Sequence, residues 1–460
     1  MLEHLTSRSA AAVPITPIAH KQFKAWTGKQ RNSLRNWSAD AGFTAKPGSV
    51  LLVPGPKGEL AGVLLGVESG PDIWSYGDLA RSLPRRIYRL DGRLDGGTAT
   101  RAALGWALGG YSFARYKKRR PFARLVWPEG CDRAGVERAA RSIFLVRDLI
   151  NTPTEDMGPA HLSSAAEAVA KEFGASFKVI VGDDLLKANY PMIHAVGRAS
   201  SRPPRLIDLR WGKRGPLIAL VGKGVCFDSG GLDLKTASGM QLMKKDMAGG
   251  AHVLGLARMI MAANLPVRLR VLVPAVENSV SGNAYRPLDV IRTRKGLTVE
   301  IGNTDAEGRL ILCEALTEAC AEKPGLLIDC ATLTGAARVA LGTDLPALFS
   351  NDDAAADALL RHGREQDDSL WRLPLHKPYR RMLDSKVADL NNVSDGGYAG
   401  AITAALFLQE FVEPGVPWIH IDMMAWNTRQ QPGRPEGGEA VTVRALYAMI
   451  AERAAAGAGR

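Results

Sequence analysis

Apolar and polar positions follow two different periods along most of the chain. Short β-branched or aliphatic runs predict strands, and the segments between them, with apolar residues at helical spacing, predict helices. The five clearest runs read "SFKVIV", "PLIALVG", "RLRVLVPAV", "GLLIDCATL" and "WIHIDM". Strands that alternate with helices predict a large α/β sheet that is covered by helices on both faces.

The first 130 residues have a weaker pattern, in which short apolar runs such as "SVLLVP" and "AGVLLGV" are separated by glycine and proline turns. This pattern predicts a small α/β domain with modest strands. A helical pattern over residues 132–150 then ends at "NTPTEDMGP". We therefore predict two domains, a smaller N-terminal α/β domain at residues 1–145 and a larger C-terminal domain with a mixed sheet at residues 146–460.

The composition is that of a soluble globular protein. A chain of 460 residues that is 46% hydrophobic is long enough for two full cores. It contains no uninterrupted apolar run of about 18 residues and no basic start followed by an apolar segment and a cleavage site. We therefore expect a cytoplasmic protein that does not enter a membrane. The five cysteines form no CxxC pair, which predicts reduced thiols rather than a disulfide framework.

The net charge of +12 is unevenly distributed along the chain. Residues 1–150 carry 24 basic and 12 acidic side chains, so the whole surplus lies in the first third. Its densest part is "RYKKRRPFAR" at residues 115–124, a basic run with interleaved aromatic side chains. Such a run is compatible with contacts to phosphate backbones, whereas a solvated surface or a subunit contact is the simpler interpretation.

The stretch "GNTDAEGRL" at residues 302–310 lies between a predicted strand, "LTVEI", and a predicted helix at residues 309–323. Turns from strand to helix line the crevice where open α/β sheets bind their ligands. If the stretch is extended, its alternate side chains point the same way and converge on one place. The residues at those alternate positions are Asp305, Glu307 and Arg309.

A second interpretation of this stretch needs no ligand. Thr304, followed three residues later by Glu307, satisfies the capping-box pattern of a helix start. The stretch by itself does not decide between a cap and a binding site.

A second polar cluster lies within residues 221–257. Lys223 follows an apolar strand, Asp228 lies in a glycine-rich "FDSGG" turn, and Asp246 lies on a segment that is otherwise apolar. Each has an ordinary structural explanation, namely a buried salt bridge, a turn-forming aspartate and a charge on a helix surface. Together with Glu307, however, these carboxylates would repel one another unless cations lay between them.

One or two divalent metal ions would remove this repulsion. A ligand set rich in oxygen, with no histidine or thiolate in either cluster, suits Mg²⁺, Mn²⁺ or Zn²⁺ better than a structural zinc site. The chain has no HExxH sequence, which argues against a single-zinc metalloprotease.

Both clusters resemble one family, the leucyl aminopeptidases, which are cytosolic two-metal exopeptidases. "NTDAEGRL" is similar to the signature of that family without a departure, and the resemblance extends over residues 145–430. The further matching segments are "RDLINTP", "VGKG", "FDSGG", "MKKDMAGGA", "RPLDV", "DCATLTGA" and "AGAITAALFLQEFV". No specific motif is recognised before residue 145.

The resemblance implies two divalent metal ions per subunit, Mn²⁺ or Zn²⁺, with Mg²⁺ and Co²⁺ as alternatives. It implies that Asp228 and Glu307 bridge both ions, that Lys223 and Asp246 complete one site, and that Asp305 completes the other. A lysine can be a ligand only as the neutral amine, and two adjacent dications would depress its pKa far enough.

The activity implied by the resemblance is metal-dependent hydrolysis of the first peptide bond of substrates with a free amino terminus, with a leucine-like preference. The metals would polarise the carbonyl group and lower the pKa of a bridging water. Lys235 matches the lysine that stabilises the oxyanion, and Arg309 matches the arginine that holds a bicarbonate ion as the general base. The residues that match the family's substrate site are Met243, Thr332, Leu333 and Gly335.

The family also assembles as a homohexamer, so we expect a homohexamer in which the first domain serves assembly or regulation. Two alternatives remain at this point. In the first, the protein binds nucleic acid, and the basic first domain is its functional surface. In the second, the protein is a hydrolase of the same fold that acts on other amino-terminal amides or on dipeptides such as cysteinylglycine.

Overall fold

The computed structural model describes residues 2–7, 9–118 and 121–458 and divides the chain into two compact units. The first unit comprises Met1–Phe144 and Arg429–Glu436, and the second comprises Leu145–Thr428 and Gly437–Arg460. Residues 429–436, which the sequence had placed in the larger domain, thus group with the first unit. There the guanidinium of Arg434 lies 5.6 Å from the ring centroid of Trp74, a contact between residues far apart in sequence.

The first unit contains a mixed six-stranded sheet. Its strands, in spatial order, are Leu5–Thr6, Arg124–Val126, Ile87–Leu90, Val13–Ala19, Leu60–Val67 and Val50–Pro54. Its α-helices up to residue 109 are Phe23–Gly28, Asn32–Asp40, Leu79–Ser82 and Gly96–Gly109. The longest of these begins at a cap in which Asp95 accepts a hydrogen bond from the Thr98 N–H at 2.9 Å. A small α/β domain is therefore confirmed for this part of the chain.

The basic run at residues 115–124 lies in this unit. Residues 115–118 form no helix or strand, and residues 119 and 120 lie outside the described residues. The hypothesis of a nucleic-acid surface stays a prediction.

The second unit is built on a nine-stranded mixed sheet. Eight strands follow the spatial order Trp371–Arg372, Ala347–Ser350, Trp418–Asp422, Leu326–Ala331, Leu217–Gly222, Arg268–Asn278, Arg205–Trp211 and Ser176–Val181. The ninth, Gly224–Asp228, pairs in parallel with Arg268–Asn278. The five apolar runs identified in the sequence each form a strand of this sheet. Runs of this composition suit strands that are buried on both faces, as four of these strands are, whereas Ser176–Val181 lies at the sheet edge and is only partly buried.

Helices cover both faces of the central strands. Ala219 and Val221 pack in one apolar cluster with Leu310 and Ile311 of helix Glu307–Cys320. On the opposite face, the position of Gly222 is so close to helix Ala248–Ala262 that a Cβ there would lie 2.6 Å from the Gly249 carbonyl oxygen. The mixed, doubly covered α/β sheet is therefore confirmed.

The remaining elements of the chain are shorter or peripheral. The other α-helices are Arg133–Asn151, Pro159–Phe173, Asp184–Lys187, Pro191–Gly197, Ala237–Met240, Gly335–Leu341, Asp353–Glu365, Gly400–Gln409 and Val443–Ala458. The 3₁₀ helices are His20–Gln22, Trp74–Tyr76, Thr154–Asp156, Met243–Met247 and Lys377–Leu383. A three-stranded sheet contains Val290–Arg292, Thr298–Glu300 and Leu390–Asn391. A two-stranded sheet contains Trp426–Asn427 and Gly437–Gly438. In the described part of the chain, no helix has the length and hydropathy of a membrane span.

The direction of the central strands decides where polar side chains meet. Leu217–Gly222, Leu326–Ala331 and Trp418–Asp422 run parallel to one another, so their carboxyl ends lie at one edge of the sheet. Lys223 and Thr332 directly follow two of these strands, and ligands of α/β sheets bind at this kind of edge.

Candidate active site

A cavity of about 600 Å³ lies at the carboxyl edge of the central strands. Its walls come from segments that are far apart in the sequence and that the parallel strands bring together. The ionisable residues of the predicted metal site and the predicted oxyanion lysine all line it, namely Lys223, Asp228, Lys235, Asp246, Asp305 and Glu307.

Lys223 is at the centre of one half of the cluster and is only 3% exposed. Its Nζ lies 2.7 Å from Asp246 Oδ2 and 2.8 Å from Glu307 Oε1, and it donates a hydrogen bond to the Thr332 carbonyl oxygen at 2.9 Å. Helix Glu307–Cys320 can approach this closely because residue 308 is a glycine. A Cβ at this position would lie 2.5 Å from Lys223 Cε. Burial lowers the pKa of Lys223, but the surrounding carboxylates outweigh burial and raise it above its ordinary value.

Asp228 and Lys235 form the other half of the cluster. Asp228 Oδ1 accepts hydrogen bonds from Asn278 Nδ2 at 2.8 Å and from the Gly230 N–H at 2.9 Å, so the carboxylate is fixed by the strand end and the glycine turn. Lys235 Nζ lies 2.9 Å from Asp228 Oδ2 and also contacts the carboxylate of Asp305. The two halves together hold four carboxylates and two ammonium groups.

Two of the four carboxylates of this cluster hold a proton more tightly than a free side chain. Asp246 is not one of them, because the effect of burial on its pKa is outweighed by the charge of Lys223, which lowers it. Burial and the charge of Asp228 raise the pKa of Asp305 to about 6 against the opposing effect of Lys235. Burial, assisted by Asp228, raises the pKa of Glu307 well above its ordinary value. Both shifts show that further cations would be stabilised here.

The donor atoms fit divalent cations. One oxygen each of Asp228, Asp305 and Glu307 lies within 4.8 Å of the other two. Asp305 Oδ1, Glu307 Oε1 and Asp246 Oδ2 are buried and accept no well-aligned hydrogen bond within the described residues. Oxygen donors of this kind are the ligands that Mg²⁺, Mn²⁺ and Zn²⁺ accept. Asp246 stands apart from the group of three and is joined to it through Lys223.

The capping-box interpretation of the "NTDAEGRL" stretch is wrong. Helix Glu307–Cys320 has Ala306 at its N-cap, with no side-chain hydrogen bond to the cap. The Thr304 hydroxyl instead donates to the Gly230 carbonyl oxygen at 2.7 Å and accepts from the Asp233 N–H at 2.9 Å. Thr304 thereby ties this stretch to the glycine turn that carries Asp228.

Arg309 does not converge with Asp305 and Glu307 as an extended segment would require. The helix begins at Glu307, so two residues further on the side chain points about 200° around the axis. Arg309 is buried, donates a hydrogen bond from one terminal nitrogen to the Asn392 carbonyl oxygen at 2.6 Å, and is not among the residues that line the cavity. Burial lowers its pKa to about 10.

The four residues predicted for substrate binding, Met243, Thr332, Leu333 and Gly335, all line the cavity. One residue that holds this loop in place, Asp422, was not predicted from the sequence. Asp422 Oδ1 accepts hydrogen bonds from the Leu333 N–H at 2.9 Å and the Thr334 N–H at 3.2 Å, and Oδ2 accepts from the Thr334 hydroxyl at 2.6 Å. The available signal was an aspartate at the carboxyl end of the apolar run "WIHID".

A cluster of carboxylates and lysines at the carboxyl edge of an α/β sheet, with donors that fit divalent cations, is typical of metal-dependent hydrolases. The chain belongs to the cytosol aminopeptidase family. The catalytic domain of that family matches residues 144–447, and the M17 aminopeptidase N-terminal domain matches residues 13–128. The resemblance inferred from the sequence motifs is thereby confirmed.

Individual relatives agree with this assignment. The chain is 47% identical to Peptidase B of Cronobacter sakazakii over 290 residues, which are 61% of this chain and 68% of the relative. The crystal structure of the cytosol aminopeptidase from Coxiella burnetii superposes with a TM-score of 0.93 at 50% identity, over 98% of this chain and 99% of that one. The bottromycin maturation enzyme BotP in complex with Mn has a TM-score of 0.87 at 35% identity, over 97% of this chain and 100% of that one.

The family and the site together establish the general activity. The protein is a metal-dependent aminopeptidase, a hydrolase of peptide bonds, and its substrates are peptides. Divalent metal use agrees with the oxygen donors that meet in the cavity.

Proposed function

We propose that this aminopeptidase removes the N-terminal residue from peptides with a free amino terminus and has a leucine-like preference at that residue. The observation that carries the proposal is the carboxylate–lysine cluster in the cavity. Leu242, Met243, Met423 and Met424 line the same cavity, and their flexible apolar side chains suit an aliphatic residue.

The residues that would hold the metal ions are those that the family resemblance implied. Asp228 and Glu307 would be shared between two sites, Lys223 and Asp246 would complete one, and Asp305 would complete the other. When bound, two divalent cations, Mn²⁺ or Zn²⁺ with Mg²⁺ and Co²⁺ as alternatives, would polarise the scissile carbonyl and lower the pKa of water. Lys223 would join them only as the neutral amine. The positive charge of the neighbouring cations would favour this form, because it opposes the effect of the carboxylates on the pKa of Lys223.

Lys235 would stabilise the oxyanion that forms when the carbonyl is attacked. Its side chain is 15% exposed, and Asp228 and Asp305 hold its Nζ at the cavity wall. Burial lowers the pKa of Lys235, but Asp228 and Asp305 outweigh burial and raise it, so the group stays charged. A fixed cation stabilises developing negative charge without reorganisation during the reaction.

Arg309 would hold a bicarbonate ion, which would act as the general base. The supporting observation is that Arg309 Nε is buried and donates no hydrogen bond within the described residues. An anion beside the guanidinium would satisfy this donor, and such charge-assisted hydrogen bonds are strong.

We also propose that the chain forms a homohexamer in the cytoplasm and that the first unit serves assembly or regulation. The family resemblance supports the assembly, and the names of relatives support the location. Light scattering of the purified protein tests the hexamer, and a monomer across the micromolar range would contradict it.

The activity is tested with purified protein from which metals have been removed. Hydrolysis of leucine p-nitroanilide is measured after Mn²⁺, Zn²⁺, Co²⁺ or Mg²⁺ is added back. We expect turnover that depends on the added metal. Silence with every metal, repeated on a mixed peptide pool, would contradict the proposed function.

Two variants test the roles of individual residues. Lys235→Ala should lower kcat by about 100- to 1,000-fold while the metal content stays that of the parent protein. Lys171→Ala is the matched control, because that lysine is exposed and forms a surface ion pair with Glu167 at 3.0 Å. Asp246→Ala should lose metal from one site, as measured by elemental analysis. Two metals bound to that variant would show that the ligand assignment is wrong.

A further inference from the structure

The first unit contains a cavity of about 510 Å³ that shares no lining residue with the candidate active site. It lies at the amino ends of three strands that run parallel to one another, Leu5–Thr6, Ile87–Leu90 and Arg124–Val126. The parallel direction brings the residues at the start of each strand to one edge of the six-stranded sheet. A cavity of this volume has the size of a site for a small molecule.

Three arginines line this cavity, namely Arg85, Arg86 and Arg124. The Arg124 N–H donates to the Arg86 carbonyl oxygen at 3.0 Å, so neighbouring segments of the backbone hold these two residues next to each other. All three arginines are exposed, and none forms an ion pair with a carboxylate in the described part of the chain. The carboxylate of Glu3 is the one acidic group among the described lining residues. The wall therefore carries an excess of positive charge.

Two aromatic rings form another part of the wall. The ring centroids of His4 and Phe122 lie 5.6 Å apart. The guanidinium of Arg81, which is not among the lining residues, lies 4.9 Å from the Phe122 ring centroid. Arg81 is itself fixed, because its Nε donates to the Gly109 carbonyl oxygen at 2.8 Å. The cavity thus combines several guanidinium groups with a flat aromatic surface that packing holds in place.

This combination favours a phosphate group over other anions. The planar fork of a guanidinium matches the geometry of phosphate oxygens, and the several oxygens of a phosphate monoester accept hydrogen bonds from more than one arginine at a time. The basic surplus in the first third of the chain also attracts anions toward this unit. An aromatic wall beside the cations suits the organic part of such a ligand.

We propose that this cavity binds the phosphate group of a small phosphate monoester, with Arg85, Arg86 and Arg124 as the donors. Two kinds of molecule share this chemistry, a nucleoside monophosphate and a sugar phosphate. The base of a nucleoside monophosphate would stack on the ring of Phe122 or His4. A sugar phosphate would be held by the arginines alone.

The site is tested by calorimetry on the full-length, metal-loaded protein, with adenosine monophosphate, ribose 5-phosphate and adenosine as probes. Adenosine, which lacks the phosphate, should bind at least about 10-fold more weakly than adenosine monophosphate. Arg86→Gln and Arg124→Gln should each weaken the binding of the phosphates by about 10-fold, because each removes a charge-assisted hydrogen bond. Equal affinity for the two phosphates would identify the phosphate as the group that is recognised, and tighter binding of the nucleotide would assign a contact to its base.

Arg89→Gln is the matched control. Arg89 is exposed on the same strand as Ile87, pairs with Asp91 at 2.8 Å and does not line the cavity. Its substitution should change the affinities by no more than about 2-fold. Phosphates also bind to metal ions, but that binding does not involve these arginines and would be the same in every variant. Thermal unfolding shows whether each variant is folded, and Arg85→Gln replaces either of the other two if it is not.

Three results would overturn the proposal. One is equal affinity of the parent protein, Arg86→Gln and Arg124→Gln for both phosphates, and another is an equal loss of affinity in Arg89→Gln. The third is binding of duplex DNA without binding of either small phosphate, which would make the arginines part of an open nucleic-acid surface. Peptide hydrolysis has no part in these measurements, so their failure and the failure of the proposed function are distinguishable.

Discussion

The substitution of Asp422 tests whether one buried carboxylate holds the substrate-facing loop in position. Its two oxygens accept three hydrogen bonds, from the Leu333 N–H, the Thr334 N–H and the Thr334 hydroxyl, at 2.9, 3.2 and 2.6 Å. Asp422→Asn keeps an oxygen for the two N–H groups but loses the negative charge. Asp422→Ala removes both acceptor oxygens and with them all three hydrogen bonds.

The magnitudes follow from the number of donors affected. A hydrogen bond to a charged acceptor contributes about 1 kcal/mol more than a neutral one, so two weakened bonds cost Asp422→Asn about 2 kcal/mol. Asp422→Ala leaves two backbone N–H groups unpaired at about 1–3 kcal/mol each, or about 2–6 kcal/mol in total. If the substrate must restore the loop on binding, 2 kcal/mol corresponds to a rise in KM of about 30-fold.

The assay combines steady-state kinetics on leucine p-nitroanilide with urea denaturation of each variant. Asp352→Asn is the control, because Asp352 also accepts a backbone N–H, from Ala355 at 3.0 Å, but does not line the cavity. We expect this control to lose stability without a change in KM. A KM for Asp422→Asn within about 3-fold of the parent value, or an effect of Asp422→Ala no larger than that of Asp422→Asn, would refute the reasoning.

Two further predictions concern stability. Burial raises the pKa of Glu314 to about 8, so the folded state binds the proton of this side chain more tightly than the unfolded state does. The protonated side chain therefore contributes to the free energy of unfolding below about pH 4.5, and this contribution is lost as the pH rises through 8. Glu314→Gln should remove a loss of about 5 kcal/mol between these pH values. Urea unfolding curves of parent and variant that shift in parallel with pH would contradict this prediction. Glu439→Gln should cost about 3–5 kcal/mol because it removes the carboxylate charge that lies 3.0 Å from the buried guanidinium of Arg147. Arg147→Met combined with Glu439→Gln should recover part of that loss, and thermal unfolding that shows strict additivity would exclude coupling between the two.

Sequence patterns predicted most of the larger unit correctly. Five apolar runs form strands, and four of these strands are buried on both faces, a position that only few compositions suit. The smaller strands were harder to predict from the sequence. Trp371–Arg372 and Leu390–Asn391 have two residues each, and pairing with neighbouring strands, rather than their own composition, makes them strands.

Local geometry at the "NTDAEGRL" stretch could not be read from the sequence. Both the cap formed by Thr304 and the shared direction of Asp305, Glu307 and Arg309 were reasonable from spacing alone. The contact of Thr304 with the glycine turn and the start of the helix at Glu307 decided against both. Each depends on a segment more than 70 residues away or on the packing of a whole helix.

The sequence by itself determined the class of the protein, because the motifs around Lys223, Asp228 and Asp305 resemble those of one family. They also place several carboxylates in an apolar setting, where cations between them would remove their repulsion. Only the tertiary structure decided which further side chains share that cavity. Asp422 lies in a segment without a distinguishing motif of its own, and parallel strands bring it to the same sheet edge as Lys223 and Thr332 from a distant position in the chain. Spacing along a chain reports neighbours within one element, whereas a binding site is made of neighbours from different elements.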